Sequence, residues 1–181
     1  MHHEIVISGF GGQGVILAGK MLIYACMIED RFVSHIPSYG IAMRGGAANC
    51  DLVVSDEHIG SPLVKKPSTA LLLSRMAYDR YEPLIAPGGI AILNSSLIDR
   101  EPERDDIETV YVPCDEIAEK AGQPRSVNVA ALGGLIRTID VCKPESLKAA
   151  FDRSFKGRKN IVDVNMKVLA AGMDHVEKNR S

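Results

Sequence analysis

A glycine-rich segment near the amino terminus constrains the fold of this chain more than any other feature. Residues 5–20 read IVISGFGGQGVILAGK, so a short β-branched run leads into a glycine cluster and then into an apolar helical pattern. Strand, glycine turn and helix open a nucleotide-type α/β unit, and the spacing Gly9-x-Gly11-x-x-Gly14 fits the dinucleotide fingerprint. Such glycines let the backbone approach a bound anion or a packed neighbour closely.

The rest of the dinucleotide fingerprint is missing. A dinucleotide site also needs an acidic residue about 20 positions later, at the end of the second strand, to bind the ribose hydroxyls. Here the predicted second strand ends at Ile36, and the available acids, Glu29 and Asp30, precede that strand. Because this acid is missing, a free-standing nucleotide-binding oxidoreductase is only the alternative interpretation. It would use Gly9, Gly11 and Gly14 to bind its nucleotide.

Apolar periodicity predicts an α/β fold with a mainly parallel sheet and a helix-rich C-terminal half, formed by residues 1–181 as a single domain. The Gly133-Gly134 pair inside a predicted helix indicates close helix packing or a kink, since glycine lowers helix propensity by about 1 kcal/mol. Strands are predicted at 4–8, 32–36, 47–55, 69–73, 90–93 and 109–112, and helices at 13–28, 77–85, 115–121, 127–141, 144–155 and 161–176.

Composition excludes several functional classes. The net charge of -2 and an aromatic content of 5% do not fit a nucleic-acid-binding protein. The longest apolar stretch, 15–28, contains Lys20 and is shorter than the roughly 20 residues that span a bilayer. We therefore expect no membrane partner and a cytoplasmic location.

Metal and catalytic motifs are also missing. The four cysteines lack the clustered spacing of iron–sulfur or zinc sites, and Cys114 is expected to be the most accessible of them. The five histidines are dispersed, and the chain has no nucleophile elbow, no H-E-x-x-H and no Walker loop. We therefore predict no catalytic residue and no metal ligand in this chain.

A second candidate segment follows the second predicted strand, at the same sheet edge as the glycine loop. Arg44, beside Gly45 and Gly46, has the chemistry to bind a phosphate or carboxylate, or instead to hold its own loop through backbone carbonyls. Asn128, early in a long predicted helix, either faces the same strand tips or caps its helix.

Taken together, these segments resemble the gamma subunit of 2-oxoacid:ferredoxin oxidoreductases. The resemblance covers nearly the whole chain in order, through GFGGQGV at 9–15, SYG at 38–40, MRGG at 43–46, IGSP at 59–62, the glycines at 88–89, the 113–118 segment and Asn128 with Leu132-Gly133. One departure is Ile41-Ala42, which stands where the family usually has Pro-Glu and removes a carboxylate beside Arg44.

The resemblance implies a Rossmann-like three-layer domain acting as a gamma subunit in thiamine diphosphate- and coenzyme A-dependent oxidative decarboxylation of a 2-oxo acid. The 2-oxoglutarate or branched-chain type (ketoisovalerate) is favoured, with pyruvate close behind. Thiamine diphosphate, magnesium and iron–sulfur clusters are expected in partner alpha and beta subunits, with or without a delta subunit, and ferredoxin is reached through the complex. The isolated chain is expected to be inactive and able to form a homodimer.

By the same resemblance, one set of residues forms either a site for coenzyme A or another anion, or a subunit interface. A third possibility is a structural subunit whose glycines serve only tight packing. The candidate residues are Gly9, Gly11, Gly12, Gln13, Gly14, Tyr39, Arg44, Gly45 and Gly46.

Overall fold

A single six-stranded sheet forms the centre of the molecule. The computed structural model describes residues 1–39, 46–156 and 158–180. The strands lie in the order β2-β3-β1-β4-β5-β6. Their bounds are β1 His2–Phe10, β2 Phe32–Tyr39, β3 Ala47–Ser55, β4 Thr69–Leu72, β5 Ile90–Asn94 and β6 Glu108–Val112.

The sheet is mainly parallel, as predicted. Strand β1 lies at its centre and pairs parallel to β4, with Ile5 opposite Thr69, and antiparallel to β3, with Ile5 opposite Leu52. Strands β4, β5 and β6 continue in parallel, and β3 runs against the other described strands. Strands β2 and β3 form an antiparallel pair because the residues between them are too few for a crossover helix.

In the described part of the chain six α-helices surround the sheet, and four of them lie in the second half of the sequence. They are α1 Val15–Ile28, α2 Arg75–Tyr81, α3 Cys114–Lys120, α4 Val127–Ile139, α5 Pro144–Ser154 and α6 Lys159–Asn179. A short 3₁₀ helix, Glu82–Leu84, follows α2.

The two faces of the sheet bury different cores, which gives the three layers. On one face, Ile5 and Ile7 of β1 pack in the larger core with α1 and the helices α3 to α6. On the other face, Val6 joins a smaller core with Ala77 and Tyr78 of α2. This alternation follows from the strand period of two, and it makes β1 apolar on both sides.

Helices α4 and α6 cross at glycines. A Cβ atom on Gly133 would overlap the carbonyl oxygen of Leu169, and one on Gly172 would overlap that of Ala130. Gly134, the next residue of α4, faces the Val112 side chain of β6. The glycine pair in α4 therefore serves close packing, one of its two predicted roles.

Two local predictions are wrong. Strand β2 extends to Tyr39 rather than ending at Ile36, because its residues stay in register with β3. Cys114 is buried rather than accessible, since it begins α3 and its N–H donates to Asn94 Oδ1 at 3.1 Å. Burial raises the pKa of the Cys114 thiol, which keeps it protonated.

Candidate functional site

The glycine loop, residues 9–14, lies at the carboxyl end of β1. Strand β3 lies on one side of β1 and β4 on the other, and the connection through α1 leads to the β3 side. The end of β1 next to β4 is therefore a topological switch point, the place where open α/β sheets bind ligands. The N–H of Gly11 donates to the Gly46 carbonyl at 2.8 Å, so the loop also contacts the chain just before β3.

The Gln13 side chain fixes the loop to both neighbouring strand ends. Its Oε1 accepts from the N–H of Phe10 at 2.6 Å, and its Nε2 donates to the Leu73 carbonyl at 2.9 Å, just after β4. Its own N–H donates to the Phe10 carbonyl at 3.1 Å. The side-chain amide of Gln13 thus occupies the crevice between the ends of β1 and β4, at the switch point.

Three glycines are required for two different reasons. A Cβ on Gly9 would lie 2.5 Å from Gln13 Oε1, so this position has no room for a side chain. Gly12 and Gly14 have φ of 106° and 74°, which other residues adopt only with strain. Apart from its two chain neighbours, no described residue comes within 4 Å of the place where a Cβ on Gly12 would lie, whereas a Cβ on Gly14 would lie 2.6 Å from Asn128 Nδ2.

Asn128 brings a second helix to the loop. It is buried in the first turn of α4, and its Nδ2 donates to the Gly14 carbonyl at 3.2 Å. Of the two roles predicted for Asn128, facing the strand tips is confirmed. The amino ends of α1 and α4 therefore converge at the glycine loop.

Neither of these helix ends is neutralised by a side chain among the described residues. Helix α1 starts after Gly14, and α4 starts after Ser126, whose hydroxyl donates to Asn165 Oδ1 at 2.8 Å instead of capping its own helix. Neither first turn contains an acidic residue. Because each helix amino end carries about half a positive charge, the two together favour an anion.

The inner face of α1 covers a half-buried histidine and a buried thiol. Gly19 contacts both Cys50 Sγ and His35 Nε2, since a Cβ there would lie 2.5 Å and 3.2 Å from those atoms. Burial lowers the pKa of His35, with a contribution from the charge of Lys20, and raises the pKa of Cys50 to about 12. Both groups therefore stay neutral near pH 7 and support α1 rather than supplying charge.

The structure brings together the glycine loop, Gly46 and the backbone at the end of β2, where Tyr39 pairs with Ala48. Arg44 and Gly45 lie outside the described residues. Glu29, one of the acids that precede β2, binds the N–H of Lys143 at the end of α1 away from the glycine loop.

Sequence reasoning missed three features of the site. The Leu73 carbonyl and the Ser126–Asn165 bond leave no pattern in the sequence, because one is backbone and the other joins residues 39 positions apart. Exposed Arg125, directly before Ser126, places a cation at the start of α4. The sequence signal for this third feature is an arginine directly before the predicted start of a helix.

The model of the pyruvate ferredoxin/flavodoxin oxidoreductase family matches residues 4–175. The chain belongs to this family. Among relatives, the 2-oxoglutarate synthase subunit KorC of Methanocaldococcus jannaschii is 40% identical over 170 residues, which cover 90% of each chain. The ketoisovalerate oxidoreductase subunit VorA of Methanothermobacter marburgensis is 35% identical over 177 residues.

The match to VorA covers 97% of this chain and 37% of that protein, so the chain spans little more than a third of that longer relative. A gamma subunit of a keto/oxoacid ferredoxin oxidoreductase from Geobacter sulfurreducens has the same fold, with a TM-score of 0.82, 26% identity, and coverage of 97% of this chain and 99% of that one.

A second structural relative of the family is larger. The 2-oxoglutarate:ferredoxin oxidoreductase of Magnetococcus marinus, solved with 2-oxoglutarate, coenzyme A and succinyl-CoA, gives a TM-score of 0.89 over 98% of this chain and 31% of that one. At 22% identity this likeness shows the fold alone. It confirms the predicted α/β fold.

No helix in the part of the chain that the structure describes is long and apolar enough to cross a membrane. Within residues 1–39, 46–156 and 158–180, no group of three or more His, Cys, Asp or Glu side chains is placed to hold a metal ion.

Proposed function

We propose that this chain is the gamma subunit of a 2-oxoacid:ferredoxin oxidoreductase and acts within a complex. The observation that carries this proposal is the match to a subunit of a 2-oxoglutarate synthase, which covers 90% of each of the two chains. In this proposal thiamine diphosphate, magnesium and iron–sulfur clusters are bound by alpha and beta subunits, with or without a delta subunit, and ferredoxin accepts electrons through the complex. 2-Oxoglutarate or a branched-chain 2-oxo acid is the favoured substrate, and pyruvate is next.

Co-expression with the partner subunits tests this proposal. The purified complex should contain this chain, thiamine diphosphate and iron, and should reduce viologen when a 2-oxo acid and coenzyme A are supplied. The chain alone should show no such activity and, without its partners, is expected to associate with itself. Viologen reduction by the purified chain alone would contradict the proposal.

Within the complex, we assign the glycine loop to an anion, with the pyrophosphate of coenzyme A as the preferred ligand. The support is geometric: the amino ends of α1 and α4 converge there without an acidic neighbour, and Gly12 leaves open space beside them. Arg125 lies at the start of α4, and Arg44 is included from the sequence alone. Gln13 fills the switch-point crevice, which disfavours a nicotinamide dinucleotide in the usual position.

Two arginine variants and a control test the anion site. Replacing Arg44 or Arg125 by Ala should raise the KM for coenzyme A about tenfold or more, because a hydrogen bond to a charged group contributes roughly 1.5–3 kcal/mol. Arg137→Ala, at the other end of α4, should leave that KM unchanged. An unchanged KM in both test variants would refute the assignment. Calorimetric titration with NAD, NADP and coenzyme A separates this function from a nucleotide-binding oxidoreductase.

A cytoplasmic location completes the proposal. All four cysteines are free and buried. Free thiols are typical of reducing compartments, where disulfides do not persist. Fractionation of native cells should place the chain with soluble cytoplasmic enzymes, and recovery with extracellular proteins would contradict this.

A further inference from the structure

A cationic groove lies between α1 and the end of α5, outside the glycine loop. It has a volume of about 410 Å³, and its walls are a stripe of α1 side chains and residues 153–156. The α1 stripe is Leu17, Lys20, Met21 and Tyr24, at the i, i+3, i+4 and i+7 spacing of one helix face. We call this feature the α1–α5 groove.

The positive charge of the groove is concentrated around one aromatic ring. Lys20 Nζ lies 5.5 Å from the centroid of Tyr24, and Arg153 Cζ lies 5.1 Å from it. Exposed Lys156 adds a third cation at the groove wall. The two like charges at the ring are therefore at most about 11 Å apart, close enough to repel each other at low salt.

No ion pair offsets these charges in the part of the chain that the structure describes. Carboxylates lie within 4.0 Å of other exposed cations, as Asp152 does for Lys148 on α5, but none does so for Lys20, Arg153 or Lys156. The chain as a whole carries a net charge of -2, so this concentration of cations is local. It favours an anionic occupant.

The groove also offers apolar surface and length suited to a polypeptide. Leu17, the first groove residue of α1, is 38% exposed, and Phe155 is a half-buried part of the groove wall. From Leu17 to Tyr24 the groove follows α1 for about 10 Å, at 1.5 Å per residue, which is two helical turns. Arg158 and Lys159 come shortly after groove residues 153–156 in the sequence. Residues 153–159 therefore contain four basic residues and no acidic one.

We propose that the α1–α5 groove binds an acidic segment of a partner subunit, with its carboxylates at Lys20, Arg153 and Lys156 and an apolar side chain against Leu17. The inference rests on the proposed function in one respect, namely that the chain works in a complex. Because Leu17 lies three residues after Gly14, a segment seated there would reach the edge of the glycine loop.

Charge reversal within the complex tests the proposal. The variant Lys20→Glu/Arg153→Glu should bind the partner subunits about tenfold more weakly at 50 mM salt, mainly through slower association, and the difference should shrink at 300 mM. The matched control Lys65→Glu/Lys66→Glu makes the same change of charge on an exposed loop and should stay within twofold of wild type. Lys20→Gln/Arg153→Gln, a milder change, should show a smaller loss of the same kind.

A carbodiimide, which joins amines to nearby carboxylates, should cross-link Lys20 or Lys156 of the wild-type chain to an Asp or Glu of a partner. Equal weakening in the groove variant and the control, or no weakening in either, would overturn the proposal. So would intact assembly combined with lost affinity for coenzyme A or inorganic pyrophosphate, since the occupant would then be a small anion. If the wild-type chain binds no partner at all, the proposed function fails instead.

Discussion

The crossing of α4 and α6 gives a prediction whose magnitude follows from the structure. In Gly133→Ala the new methyl group meets the carbonyl oxygen of Leu169 and lies 3.1 Å from the N–H nitrogen of Met173. Both obstacles are helix backbone, which cannot turn away as a flexible side chain can. Overpacking of this kind costs about 3 kcal/mol, the upper end of the usual range.

Helix propensity acts in the opposite direction. Alanine stabilises a helix by about 1 kcal/mol relative to glycine, so the net loss of unfolding free energy is about 2 kcal/mol. For a domain of this size each kcal/mol shifts the unfolding temperature by roughly 2–4 °C, which predicts a fall of about 4–8 °C. Thermal unfolding followed by circular dichroism at helix wavelengths measures it.

The matched control is Ala170→Gly on the exposed face of α6, where only propensity changes. It should cost about 1 kcal/mol. Gly172→Ala meets the Ala130 carbonyl from the other side of the crossing, so the double variant with Gly133→Ala should lose less than the sum of the two single losses. If Gly133→Ala raised the unfolding temperature, the backbones would have to be further apart than the structure shows, and the reasoning would be refuted.

Three further predictions concern the loop, the sheet and the thiols. Gly14→Ala should lower the free energy of unfolding, both because alanine is strained at this positive φ and because its Cβ would clash with Asn128. Adding Asn128→Ala should restore only the part of the stability lost to the clash, which a double-mutant cycle in urea measures. Asp51→Asn should raise the unfolding temperature at pH 7, because burial raises the pKa of Asp51 and thereby penalises its charged form. That gain should shrink as the pH falls through the raised pKa of the folded-state carboxyl and vanish below the ordinary pKa of the unfolded chain, and a gain that persists in stronger acid would exclude the charge as its cause. All four buried cysteines should resist iodoacetamide in the native chain and react after unfolding.

Most of the fold follows from local patterns in the sequence. The apolar runs around Ile5 and Ala70 predict buried strands. The glycine pair at 133–134 indicates close packing or a kink, and the structure shows close packing. The antiparallel course of β3 was less accessible, since strand direction depends on which neighbours pair and not on the strand's own residues. The burial of Cys114 depends on Asn94, a partner 20 residues away.

The spacing of the glycines predicts the glycine loop, whereas the residues that surround and hold the loop are distant from it in sequence. The Gly14 carbonyl receives a bond from Asn128, 114 residues later, and Gln13 bonds to the Leu73 carbonyl, 60 residues later. Nothing in residues 9–14 specifies these partners. A sequence pattern can therefore identify such a loop but cannot identify which second helix completes it.

The Gln13 side chain distinguishes this glycine loop from that of a dinucleotide-binding enzyme. In a dinucleotide enzyme the crevice between the diverging strands admits the pyrophosphate, and an acid beyond the second strand holds the ribose. In this chain the Gln13 amide already bridges β1 and β4 in that crevice, and the acids before β2 lie away from it. We propose that an anion approaches the α1 amino end from the side of α4, past Gly12, where it would meet the amino ends of both helices. Because the Gln13 amide occupies the crevice between β1 and β4, the group attached to that anion would extend away from the crevice rather than into it.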